Sequence, residues 1–585
     1  MVTNKYITRI ASVIMAAAVI LCLMASLFSD KLQEVYGNNA VTMKYESKLF
    51  NTDQIMDIDI LMDEDDWNNM LENAISEEYY SCNVVVNGKT FYSVGIRPKG
   101  NTSLSSIAND PDTDRYSFKL EFDHYIEGQT CYGLDKLILN NNYADATNMK
   151  EAIVYDMYQY LGVDASLYNY AKISVNGDYR GVYLALEAVE DSFMLRNYGT
   201  EDGNLYKPES MGIGGGVDGN GFPQKGEMPD GEDFPQKGEM PDGADFPQKG
   251  EMPDGEDFPQ KGEMPDGEDF PQMGEAPNGE TADIKMGIMG GNGGADLNYT
   301  DDDLDSYSTI WDGEITDTDK KDHKRVVEAL KNISEGTDLE TYMDVDNILK
   351  YMAVHTFVVN DDSLSGTMAH NYYLYEYNGK LNILPWDYNL SFGGMSMGGK
   401  MGGQSLGATS VINDAIDMPF SITDFFDALL ENEEYLEQYH GYLNELVEKY
   451  VNGGEFEKTY ERIRSQIDDL VGNDPTAFYS YEEYEEAANM LIEVVQLRAK
   501  SVSGQLAGTI PSTDEGQQQD SSNLIDGSDI DLSVMGSFSG GGGGNEGQGK
   551  DNGFAGTPQP FDAGDVSPIS EEKADLQDSN QDSVK

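Results

Sequence analysis

Apolar and polar residues alternate with period two over Ser117–Phe122, which puts Phe118, Leu120 and Phe122 on one strand face and Lys119 and Glu121 on the other. Three Asn-Gly pairs flanked by similar alternation (Asn87-Gly88, Asn176-Gly177, Asn378-Gly379) predict hairpins, because Asn-Gly readily supplies the positive φ that tight primed turns need. Asp145–Leu161 has helical spacing, with Asp145 or Thr147 as its cap and Gly162 as its stop. Residues 320–358 and 418–503 repeat apolar and aromatic positions three and four apart, as in Phe425, Leu429, Tyr435, Tyr439, Tyr442 and Leu446, and predict helices.

Three stretches break this pattern. Ile10–Ser29 is uncharged and follows Lys5 and Arg9; as a helix it spans about 30 Å, the thickness of a bilayer core. It predicts a signal anchor with the remainder outside the cytoplasm, the alternative being secretion after signal cleavage. From Phe222 a 12-residue unit, FPQKGEMPDGED, recurs at Phe234, Phe246 and Phe258, with a degraded copy from Phe270. Its Pro and Gly oppose helix and ladder, and it is too short for a solenoid layer, so it reads as a disordered acidic insert. After Gly504 the chain turns to Gly, Ser, Gln and Asp and reads as a spacer. The expected organisation is an anchor (1–30), a stalk (31–50), an α+β half (51–210), the insert (211–294), a mostly helical half (295–503) and a disordered tail (504–585).

Charge sharpens this division. The 585 residues include 106 acids and 38 Lys or Arg, a formal net charge of −68. That excludes a nucleic-acid binder, which needs a basic surface to displace counterions. The insert holds 19 acids against 5 bases and the tail 15 against 3, so −42 remains on the rest. An acidic body predicts basic protein partners. Cys82 and Cys131 are open to two readings, one disulfide or two buried thiols, and the five His residues have no metal-ligand spacing.

The most informative stretch is Val358–Gly394. Asp361-Asp362 stand in a polar loop before the hairpin Asn371–Tyr377/Lys380–Leu384, and Asp387 follows it in Pro385-Trp386-Asp387. Two acids from separate loops beside one hairpin suit a base and a metal ligand. Six motifs then occur in order: Arg97-Pro-Lys-Gly-Asn-Thr-Ser103, Ser117-Phe-Lys119, Asn176-Gly-Asp-Tyr-Arg-Gly-Val-Tyr183 with Glu187, Asn204-Leu-Tyr-Lys207, Asn371-Tyr-Tyr-Leu-Tyr375 and Pro385-Trp-Asp-Tyr388. Together they resemble the CotH kinase family, named for a bacterial spore coat protein.

The resemblance implies an α+β, atypical protein-kinase-like domain of two lobes, here with an N-terminal transmembrane helix. It implies a protein serine/threonine kinase using ATP and Mg²⁺. Arg97, Lys99 and Gly100 would belong to a phosphate-facing loop. Lys119 would hold the nucleotide phosphates and pair with Glu151, and Leu186 and Glu187 would lie at an adenine-contacting hinge. Asp362 would orient the acceptor hydroxyl, Asp361 competing for that role; Asp387 would hold Mg²⁺, with Asn371 a second ligand. Two positions depart from the family pattern: Asn389 stands where an acid is frequent, and Asp361 where an aromatic often precedes the catalytic acid. The expected protein is a kinase at the cell membrane with its catalytic domain outside, acting on basic Ser/Thr-containing envelope, coat or extracellular proteins. A non-catalytic surface adhesin or scaffold on the same fold is the alternative.

Overall fold

The computed structural model describes residues 40–208, 293–366, 368–395, 407–420 and 422–538. These all belong to one compact unit; residues 214–291, which carry the 12-residue repeats, lie outside the described residues. Seven strands close into a barrel in the order β1-β2-β3-β4-β5-β7-β6: β1 (Met56–Leu61), β2 (Tyr80–Val86), β3 (Lys89–Lys99), β4 (Ser117–Glu121), β5 (Lys136–Asn140), β6 (Tyr168–Val175) and β7 (Asp178–Glu187). Closure comes from β1, which pairs antiparallel with β2 and parallel with β6, Met56 opposite Ala171 and Ile60 opposite Val175. The Asn-Gly pairs turn β2 into β3, β6 into β7 and β9 (Tyr372–Tyr377) into β10 (Lys380–Pro385). Short β8 (Asn204–Tyr206) adds to β9 in a separate three-stranded sheet.

Alternation along β7 divides the core. Tyr183 and Ala185 join Phe118, Leu120, Leu137 and Leu139 inside the barrel. Val182, Leu184 and Leu186 face the opposite way, onto α1 (Lys150–Leu161) and the helices beyond. These include α2 (Val345–Val358), α3 (Glu455–Val471) and α4 (Tyr481–Leu506). α1 starts five residues later than expected. Asp145 instead braces the preceding turn, its carboxylate accepting from the backbone N–H groups of Thr147 (2.9 Å) and Lys150 (3.0 Å); Gly162 ends the helix at φ 73°.

Several expectations are corrected here. The domain is not a two-lobed kinase-like pair: the sheet closes on itself, and one continuous core runs from its outer face through α1 into α2, α3 and α4. No helix among the described residues is long and apolar enough to cross a membrane. The run Ile10–Ser29 lies outside the described residues, so the expected transmembrane helix, and with it a cell-membrane localisation, has no support in the fold. The stalk is body from residue 40 onward: Tyr45 and Leu49 are buried, and the Tyr45 hydroxyl donates to Glu187 at 2.5 Å. The expected tail is structured as far as Phe538, because Ile510 and Met535, set among Gly and Ser, anchor it to the body. Cys82 and Cys131 are free thiols whose burial pushes each pKa up to about 12.

Candidate active site

The end of β3, the loop after β5, the start of α1 and the loops flanking the β9–β10 hairpin surround a cavity of about 340 Å³. Arg97 and Lys99 enter from β3, and Gly100 follows with φ 137°. A Cβ on Gly100 would come within 2.9 Å of Ser103 Oγ and 3.3 Å of the Leu104 nitrogen, so the tight turn after the strand needs glycine. Glu151 comes from the first turn of α1; Asp362, His370, Asn371, Trp386 and Asp387 come from the hairpin loops. Non-glycine backbone in the left-handed region gathers here, at Asn142 (φ 59°), Ala144 (58°), Asn371 (57°) and Asp387 (60°). Such conformations cost energy and persist where the surroundings hold them, as they commonly do at functional sites.

Asp362 is clamped. His370 Nε2 lies 2.7 Å from its Oδ1, and Asn371 Nδ2 donates to its Oδ2 (3.1 Å) and to its backbone carbonyl (2.8 Å). Asp361 is exposed and is not part of the cavity wall. Asn389 Nδ2 donates to the Tyr143 carbonyl at 2.9 Å, tying the loop after β10 to the loop after β5. An ionised Asp has no proton for that bond, which gives the Asn at this position a structural reason.

Lys99, Glu151 and Asp387 form a charge cluster. Lys99 Nζ is 3.3 Å from Asn140 Oδ1 and 5.6 Å from the Trp386 ring centroid. Burial pushes its ammonium below the ordinary value, while Asp387 and Glu151 pull the other way. Burial, then the nearby Asp387 charge, raises the Glu151 carboxyl to about 8, against a hydrogen bond from Asn140 at 2.9 Å and the charge of Lys99. Asp387 is also raised, by burial first; Lys99 opposes this and Asp362 adds to it. Glu151 Oε1 is buried and has no hydrogen-bond partner among the described residues. A carboxyl raised from 4.5 to about 8 on folding makes the folded state bind the extra proton between those values. Stability therefore falls as pH rises through that window. Glu151→Gln is expected to flatten this slope in thermal melts between pH 5 and 8.5 without divalent cations.

The donor set suits a hard cation. It comprises the carboxylates of Asp387 and Asp362 and the Asn371 amide, whose Oδ1 remains an acceptor while its nitrogen serves Asp362. Among the described residues no three His, Cys, Asp or Glu side chains cluster as a self-sufficient metal site. Mg²⁺ usually takes one or two carboxylates and completes its shell with phosphate oxygens and water, so Asp387 with Asn371 would suffice on the protein side.

Other expected positions lie elsewhere. Lys119 pairs with Glu190 at 2.5 Å, beside Lys136, and does not meet Glu151. Lys99, two residues beyond the register partner of Lys119 on β3, approaches Glu151 instead. Leu186 is buried in the ladder, opposite Ile138 on β5 and Tyr168 on β6, so its strand has no free edge for a ligand. Glu187 is fully buried and held by Arg196 at 2.6 Å. Among the polar parts of the cavity with no assigned role from sequence are His370, Lys207 and the run Asn140–Asn142. His370 precedes Asn371 and Lys207 ends the Asn204–Lys207 motif, so both were marked by adjacency; the Asn run was marked by ending an apolar strand.

A family model described as CotH kinase protein matches residues 96–502. No curated protein matches the chain. The match spans the end of β3, α1, both hairpin loops and α2 to α4, so it contains nearly all of the cavity's charged wall. By this match over most of its length, the chain belongs to the CotH kinase family.

Proposed function

We propose that the protein is an ATP-dependent protein kinase that transfers the γ-phosphoryl group to Ser or Thr hydroxyls of basic proteins, with the cavity beside Lys99 and Asp387 as its active site. The observation that carries this reading is the convergence of cations and carboxylates in one cavity: Arg97, Lys99 and Lys207 with Glu151, Asp362 and Asp387. Phosphoryl transfer needs positioning and charge neutralisation more than covalent chemistry, and this wall offers both. Lys99 takes the phosphate-binding role expected of Lys119, with Asp387 as its counter-charge and Glu151 beside it. Asp362 accepts the acceptor hydroxyl's proton, its carboxylate oriented by His370 and Asn371. Asp387 and Asn371 would hold Mg²⁺, which supplies charge neutralisation at the phosphates when bound. The −42 outside insert and tail supports a preference for substrates rich in Lys and Arg.

The test is phosphate incorporation from labelled ATP into a basic, Ser-rich peptide. Incorporation is expected to require Mg²⁺ and to fall about 10²–10³-fold in Lys99→Met, the loss typical of one preorganised charge stabiliser. Lys119→Met is expected to stay within about threefold of wild type, since Lys119 lies outside the cavity wall. A protein inactive with every basic peptide and unable to bind ATP would remove the kinase reading.

A further inference from the structure

The family match ends at residue 502, yet the cavity is also lined by Phe538, well beyond it. After α4 the chain returns over the body. The Asn413 side chain accepts from the Ile525 nitrogen (2.9 Å) and donates to its carbonyl (2.8 Å), and the Gly527 nitrogen donates to Thr409 Oγ1 (3.0 Å). Buried Met535 then accepts from the Ala146 nitrogen at 3.1 Å. Gly536 (φ 82°) packs so closely that a Cβ would lie 2.6 Å from the Ala144 carbonyl oxygen. Two residues on, the Phe538 nitrogen donates to the Gly394 carbonyl at 3.0 Å. The segment 531–538 thus straps together the loops that bring Tyr143 and Ala144, and Leu390 and Met395, to the cavity.

Phe538 itself lines the cavity, its ring 6.3 Å from that of Tyr143. Tyr143, Phe538, Leu390 and Met395 give the wall an aromatic and apolar part with no use for phosphates. The base of ATP is planar and weakly polar, and the strand expected to serve it, through Leu186 and Glu187, is closed within the barrel. We infer that Phe538 is a specificity-determining residue that, with Tyr143, forms the aromatic wall for the nucleotide base. The inference rests on the kinase reading and adds to it a contact from outside the family-matched region.

The experiment is calorimetric titration of the full chain, with Mg²⁺, using ATP and inorganic tripolyphosphate as separate probes. In Phe538→Ala the ATP dissociation constant is expected to rise about tenfold, within the range seen when a base loses an aromatic platform. Tripolyphosphate binding is expected to stay unchanged, and Phe538→Trp is expected to retain ATP affinity. Gly536→Ala, which displaces the strap without altering the ring, is expected to reproduce the split; thermal melts verify that each variant is folded. Unchanged ATP affinity in Phe538→Ala, or equal weakening of both probes, would overturn the assignment. Failure of the wild type to bind ATP is a different result, which overturns the kinase reading and this inference with it.

Discussion

Replacing Asp387 by Asn is expected to lower phosphoryl transfer about a thousandfold, ~4 kcal/mol of barrier, while leaving the protein folded. The choice of Asn follows from the backbone. Asp387 sits at φ 60°, a region that Asn tolerates well and that would strain Ala, so the substitution changes charge and little else. Electrostatics then predict the direction of the stability change. Asp387 is the largest charge raising the Glu151 carboxyl, and it also repels Asp362. Removing it lets Glu151 ionise closer to its ordinary value and serve as the remaining counter-charge to Lys99. Melting temperature in the absence of metal should be unchanged or higher, whereas activity and Mg²⁺-dependent ATP affinity collapse. A variant that keeps turnover near wild type would show that Asp387 is a structural acid and move the metal role elsewhere on the wall.

The contrast between Lys99 and Lys119 shows what the sequence could and could not convey. Period-two alternation placed Lys119 on the polar face of its strand, and it is there. What alternation does not encode is which end of a closed sheet becomes the mouth of a cavity. Register decides that: Lys119 stands opposite Arg97, but Glu190 captures it, while Lys99 at the strand's end reaches Asn140. Leu186 and Glu187 were misplaced for a related reason. A strand at a sheet edge can offer its backbone to a ligand, but β7 lies between β6, its hairpin partner, and β5, whose pairing is remote in sequence, so neither of its edges is open. That Asp362, Asn371 and Asp387 come to one cavity was legible because they flank one hairpin, so local sequence already brings them close. His370 has no metal-ligand spacing to mark it in the sequence; its ring nitrogen instead meets the Asp362 carboxylate. Phe538 carried no signal, being one aromatic in a Gly- and Ser-rich stretch.

Arg115→Met is expected to destabilise the folded body by about 3–5 kcal/mol, the cost of stranding a buried charge. Arg115 and Asp474 both have side chains only 2% exposed and pair at 2.8 Å. Nη1 also donates to Thr476 Oγ1 (2.8 Å), Nη2 to the Val182 carbonyl (2.6 Å) and Nε to the Asn141 carbonyl (3.0 Å). Asp474 in turn accepts from the Val182 nitrogen at 3.0 Å. One guanidinium therefore joins β7, the link between α3 and α4, and the Asn140–Asn142 run of the cavity wall. The carbonyls it serves would lose their donor in the variant, and Asp474 would keep its charge with no counter-ion. Gly181 marks how tightly this is packed, since a Cβ there would come 2.4 Å from Arg115 Nη1. Because the loss lies mainly in the stranded carboxylate, Arg115→Met with Asp474→Leu should recover much of it, as apolar replacement of a whole buried pair often does. Chemical denaturation of the two single variants and the double variant measures this coupling. Strict additivity would mean that the pair contributes nothing as a pair. With the coupling present, the double variant should regain stability but not full activity, because the Asn141 carbonyl still lacks the donor that fixes the run whose Asn140 side chain meets Lys99 and Glu151.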